Sequence, residues 1–249
     1  MASKTGAIKV AIGDLIITFA WLFCSSAFGI AATVIAEAVG VEVTSNWIHL
    51  ILALIISVHI VIFDAIALML GGASFNPTGN AMFYTAGLPG DTLFSMALRF
   101  PAQAAGAVGG AWAISEVMPS QYKHMLGGPS IKVDLHTAAA AEGVLTFLIS
   151  LNVLIILLKV PGGSLVKTWL LAMATVTLVV LGSGYTGPSM NPANAFGWAY
   201  MKGMHNTWDQ FYVYWICPFI GAILAAMVFR AIFPEPKKPK KAPKNKKAD

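Results

Sequence analysis

The chain has 249 residues, 57% of them hydrophobic and only 11% charged, with a mean hydropathy of +0.72. Soluble domains carry about 25% charged residues, so this composition excludes an ordinary cytosolic protein, and the apolar content excludes disorder over most of the length. The net charge of +5 is concentrated: seven of the sixteen bases and two of the eleven acids lie from Pro234 onward, leaving nine of each in the body. A neutral apolar body with a basic terminus is the pattern of a membrane protein with a solvated tail.

Six segments are long and apolar enough to cross roughly 30 Å of hydrocarbon, at about 10–35, 47–70, 92–116, 136–159, 166–183 and 208–233. The first is too long for a cleaved signal and lacks an early small-residue cleavage site. Backbone groups in lipid must pair within their own segment, so all six are read as helices. The first carries Asp14 and the fourth Glu142; the second carries His59 and Asp64. Helical geometry turns both of the latter partly toward the Ile56 side; His59 reads as a bundle-interior histidine, with a pH gate as the alternative. Cys24 and Cys217 stand alone inside apolar stretches and read as packing residues.

Two apolar pieces are too short to span, 76–83 and 191–201. Each opens on Asn-Pro, in Asn76-Pro77-Thr78 and Asn191-Pro192-Ala193. Asn is a good N-cap and Pro suits the first helical position, so each is read as a short helix starting at its Asn. Gly106 and Gly110 form a G-x-x-x-G packing pattern in the third span. Gly182, Gly184 and Gly187 match a dinucleotide-binding spacing, but no strand–helix unit surrounds them.

The pattern occurs twice. Asp14-Leu-Ile-Ile-Thr18-Phe19 is echoed by Glu142-Gly-Val-Leu-Thr146-Phe147, and Phe75-Asn-Pro-Thr by Met190-Asn-Pro-Ala. Three spans per half force the second half into the opposite orientation, so the fold class is an all-α membrane protein with six transmembrane helices and two half-helices in two inverted repeats. The repeats are placed at 1–120 and 136–233, joined by 121–135 and followed by a disordered lysine-rich tail, 234–249. Such repeats with half-helices at mid-membrane are a transport architecture. Both termini are placed in the cytosol: Lys4, Lys9, Arg99, Lys159, Lys167, Arg230 and the tail lysines lie on that side, against Lys123, Lys132 and Lys202 on the other.

These features resemble the aquaporin, or major intrinsic protein, family over residues 10–233. The carrying motifs are the paired Asn-Pro boxes, the acid-x-x-x-Thr pattern opening each half, Gln103-Ala-Ala-Gly106-Ala, and Tyr214-Trp215-Ile-Cys-Pro218-Phe-Ile-Gly221-Ala. Thr78, the short N-terminus and the lysine-rich tail are most similar to the plant small basic intrinsic proteins. The resemblance implies one pore per subunit in a homotetramer, with two half-helices entering from opposite faces. It implies that Asn76 and Asn191 turn their NH₂ groups to the pore, and that Asp14 and Glu142 support the loops before the boxes. By family spacing the selectivity filter falls on Ile56, Val179, Pro188 and Asn194, replacing the usual Arg and His by three apolar side chains and an amide.

The function expected is a passive, modest water channel in an intracellular membrane, with water and lipid as its partners and with no cofactor, metal or nucleic acid. Alternatives are a channel for glycerol, hydrogen peroxide or ammonia, an alternating-access transporter, or a non-conducting scaffold. No enzymatic constellation is present. Lys246 and Lys247 fit a dilysine signal read by a retrieval receptor, which points to the endoplasmic reticulum, with the plasma or vacuolar membrane as alternatives.

Overall fold

The computed structural model describes residues 4–234; Lys246 and Lys247, the expected retrieval signal, and nearly all of the tail lie outside the described residues. Among the described residues there is no strand. The long helices are α1 (Lys4–Ser25), α2 (Phe28–Ala38), α3 (Trp47–Met69), α5 (Leu93–Val117), α6 (Leu135–Leu158), α7 (Ser164–Gly182) and α9 (Trp208–Ile232). The short helices are α4 (Pro77–Thr85) and α8 (Pro192–Met201).

The expected first span, 10–35, begins earlier and is broken: α1 and α2 run in sequence over Thr5–Ala38 with a turn at Ser26 and Ala27. The Ser26 hydroxyl donates back to the Leu22 carbonyl there, the kind of back-bond that bends helices. Among the described residues five helical stretches, counting Thr5–Ala38 as one, are long and apolar enough to cross a membrane, and α5, at 25 residues, is as long as most of them but less apolar. It spends part of one face on Ser95, Arg99 and Gln103, all buried. Within α9 a π turn at Tyr212–Ile216 precedes Pro218 and widens the helix where the proline lacks a donor. Asp134 caps α6 by accepting the Thr137 N–H at 3.0 Å, and hydrogen bonds from Thr137 hold its exposed carboxyl below the usual range.

Packing follows the repeat. α1 packs on α5 and α6 on α9; α3 meets α7; α8 lies against α5 and α4 against α9. Exchanging the halves maps this set onto itself. The closest approaches repeat as well: a side chain at Gly106 would collide with the Leu15 carbonyl, and one at Gly221 with the Gly143 carbonyl. Only glycine lets these backbones touch.

α1 and α5 run in the same direction, since Asp14 meets Arg99 and Gln103 while Phe19 and Phe23 meet Gly110. α6 and α9 do likewise, with Gly143 at Cys217 and Leu154 beside Ala226 and Phe229. Arg230 donates to the Thr85 carbonyl at 3.2 Å, which places the end of α4 beside the end of α9. Trp198 clusters with Ala111, Ile114 and Met118, which places the end of α8 beside the end of α5. The half-helices therefore point to opposite ends: α4 to the terminal end, where α1 begins and α9 finishes, and α8 to the connector end, where residues 118–134 join the halves.

Candidate functional site

The two half-helices meet N-terminus to N-terminus. Asn76 and Asn191 both have extended backbones and both cap their helices, each followed by Pro at the first helical position. Asn76 Oδ1 accepts the Thr78 N–H at 3.0 Å, and Asn191 Oδ1 accepts the Ala193 N–H at 3.0 Å and the Asn194 N–H at 3.4 Å. The NH₂ groups cross over. Asn76 Nδ2 donates to the Met190 carbonyl at 3.1 Å, and Asn191 Nδ2 to the Phe75 carbonyl at 2.9 Å.

The resemblance implies NH₂ groups turned to a pore, and these cross-links occupy only part of each group. One N–H of each amide ties the opposite loop, and one of its two remains. Thr78 is buried at the junction; its hydroxyl donates to Asn76 Oδ1 at 2.7 Å and reaches the Met190 carbonyl at 3.4 Å. Met190 holds a left-handed φ of 49°, a conformation that a non-glycine residue adopts when its surroundings over-determine it.

The surroundings that fix Met190 include Glu142. Its carboxylate is fully buried and accepts the Met190 N–H at 3.1 Å, the Ser189 N–H at 2.9 Å and the Thr186 hydroxyl at 2.9 Å. Asp14 does the same for the first loop, accepting the Ser74 N–H at 2.7 Å. The repeats differ in the counter-charge. Arg99 clamps Asp14 with Nε at 2.7 Å and Nη2 at 2.9 Å, reaches Asp91 at 2.8 Å, and donates to the Gly72 carbonyl at 3.0 Å. Gln103 Nε2 donates to Asp14 at 2.7 Å and Asn80 Oδ1 at 3.0 Å, and Asn80 donates to Asp91 at 2.8 Å. Glu142 forms no ion pair among the described residues.

The sequence alone places Arg99 among the interfacial bases and does not reveal this network. Arg99 is buried and neutralised, so it drops out of the orientation tally. The available signal was an intramembrane acid in need of a partner, and the arginine in the third span, one turn before Gln103.

A cavity of about 1200 Å³ lies along the junction. Asn76, Thr78 and Asn191 line it, as do the four positions expected to form a filter, Ile56, Val179, Pro188 and Asn194. Pro77, Pro192 and Ala193 are buried behind the wall. The lining includes Ala7 and Asp91 at the terminal end and Met125 and Pro129 at the connector end, so the space follows the length of α5, about 37 Å for its 25 residues. Its charged lining residues are Asp64, Asp91 and Arg99. His59 does not line it; its ring packs against Trp21, Phe28 and Phe63 at centroid distances of 4.1–4.7 Å. Among the described residues no group of three His, Cys, Asp or Glu side chains could hold a metal.

Comparison with known proteins bears on this geometry. The family model described as "Major intrinsic protein" matches residues 1–229. The chain is 57% identical to "Aquaporin SIP1-1" of Oryza sativa subsp. japonica, covering 97% of this chain and 98% of the relative. It is 56% identical to "Aquaporin SIP1-1" of Arabidopsis thaliana, covering 98% and 99%, and 31% identical to that plant's "Probable aquaporin SIP2-1", covering 92% and 93%. Among solved structures, the aquaglyceroporin from Plasmodium falciparum superposes with a TM-score of 0.68 over 92% of this chain and 98% of that one, at 18% identity.

Proposed function

Since the chain belongs to the major intrinsic protein family, whose members are channels rather than enzymes, we propose that it is a passive water channel of modest conductance in an intracellular membrane. The observation that carries this reading is the pair of crossed asparagines on the wall of one cavity that reaches both ends of the molecule.

Each amide fixes its own helix and the opposite loop, and keeps one N–H for the lumen. Water passing the centre meets one donor from each half, accepts from both, and turns its own hydrogens outward. That orientation interrupts a hydrogen-bonded proton wire. Each helix N-terminus also carries about half a positive charge, and two of them meeting at mid-pore oppose cations.

Ile56, Val179, Pro188 and Asn194 form the filter. They offer no fixed charge and one amide, so a polar solute regains little of the hydration it gives up there. Water flux is accordingly modest. The same apolar ring favours a second reading, conduction of a less hydrated neutral solute such as glycerol, hydrogen peroxide or ammonia. The chain works as a homotetramer with both termini cytosolic, in the membrane of the endoplasmic reticulum, with Lys246 and Lys247 addressed to a retrieval receptor.

Stopped-flow light scattering on proteoliposomes tests this. Shrinkage faster than in empty vesicles, lost in Asn76→Asp/Asn191→Asp, supports the water channel. Shrinkage no faster than in empty vesicles removes water as the main solute; entry of glycerol, peroxide or ammonia into the same vesicles then decides between the second reading and a scaffold.

A further inference from the structure

The two halves do not carry equivalent chemistry on the pore wall. The four filter positions stand at fixed offsets from the box asparagines: Ile56 is twenty residues before Asn76, Val179 twelve before Asn191, and Pro188 and Asn194 three either side of Asn191. Applying the same offsets to the other box gives Leu171, Asp64, Ala73 and Gly79. All four line the same cavity. The exchange of halves that maps α3 onto α7 and α4 onto α8 therefore sets a second ring on the opposite side of the boxes.

That ring lies toward the terminal end. Asp64 is eight residues after Ile56 on α3, about 12 Å along the axis, and on the same lumen-facing stripe as Ile56 and Ile60. Where the filter has Pro188 and Asn194, this ring has Ala73 and Gly79, which leave more room. Where the filter has Val179, it has a carboxylate. Asp64 is exposed to the lumen and makes no hydrogen bond or ion pair among the described residues. Among the described residues the one cation lining the cavity, Arg99, is held by Asp14 and Asp91. Lys9 and Lys167 do not line the cavity, and Lys167 Nζ donates to the Leu157 carbonyl at 2.8 Å.

We propose that Asp64 and its ring form a binding site for a small monovalent cation in the terminal-end half of the pore. This rests on the channel reading above. The carboxylate attracts the ion, the small neighbours admit it partly hydrated, and the opposed half-helix N-termini stop it from passing the centre. A bound ion stands in the solute path, so the site makes flux sensitive to cations on one side.

The experiment is sodium-23 relaxation on the purified full-length protein in detergent, titrated with NaCl. Wild type is expected to show a saturable relaxation component that Asp64→Glu keeps and Asp64→Asn loses. Leu171→Lys, which places an ammonium in the same ring, is expected to lose it too and keeps the test decisive if Asp64→Asn does not fold. The same saturable component in Asp64→Asn or Leu171→Lys, or none in wild type, overturns the proposal. The readout is independent of conduction: vesicles with no flux of water, glycerol, peroxide or ammonia alongside intact sodium binding would defeat the channel reading alone, and flux without sodium binding would defeat the cation site alone.

Discussion

The Thr78 hydroxyl donates to Asn76 Oδ1 at 2.7 Å, on the same oxygen that accepts the Thr78 N–H. The first box thus carries one more internal hydrogen bond than the alanine of the second box can provide. Thr78→Ala removes that bond but leaves the backbone cap, so the cost is about 1 kcal/mol. For a chain of this size that lowers the melting temperature by roughly 2–4 °C. Thermal melting in detergent should show this shift, with water flux retained because Asn76 still bonds Thr78 N–H and the Met190 carbonyl.

Arg99 is the larger liability. Removing it in Arg99→Met leaves Asp14 buried without its cation, a loss of roughly 3–5 kcal/mol. Asp14→Asn/Arg99→Met leaves no uncompensated charge on Asp14 and keeps an acceptor for the Ser74 N–H, so it is expected to melt above the single mutant. A double mutant no more stable than Arg99→Met would show that the pair is not the unit of stability.

Glu142 accepts three donors with two oxygens. Glu142→Gln retains one acceptor oxygen and turns an NH₂ toward backbone N–H groups, leaving a buried donor unpaired at roughly 1–3 kcal/mol. Met190 would lose what holds its left-handed φ, and with it the carbonyl that anchors Asn76. Both melting temperature and flux should fall.

The glycine contacts of the two repeats should behave alike. Gly106→Val and Gly221→Val each drive a side chain into a helix backbone carbonyl. Each variant is expected to lose monodisperse protein in size-exclusion chromatography, whereas Gly29→Val, at a position with open space, should not.

Much of this was legible in the chain itself. The Asn-Pro boxes specified both half-helices because capping is local chemistry, and structure places their starts at Pro77 and Pro192. The buttress acids were legible because an ionised group in a span needs partners. What escaped were relationships across long separations: Arg99 with Asp14, 85 residues apart, and the crossing of Asn76 to Met190, 114 apart. Hydropathy also ran the first span as one segment, because the turn at Ser26 is made by a side-chain bond that composition does not record. Asp64 was legible as an acid in a span turned partly toward the Ile56 side, but only the folded cavity shows it on the wall.

The central claim is that solute passes through the cavity lined by both boxes. Val179→Trp tests it most directly, because an indole at that half-buried wall position fills the lumen twelve residues before Asn191 without altering either asparagine. Proteoliposomes holding this variant, at the same protein density and with an unchanged melting temperature, should shrink at the rate of empty vesicles. Shrinkage at the wild-type rate would contradict the claim and place any water path elsewhere in the molecule.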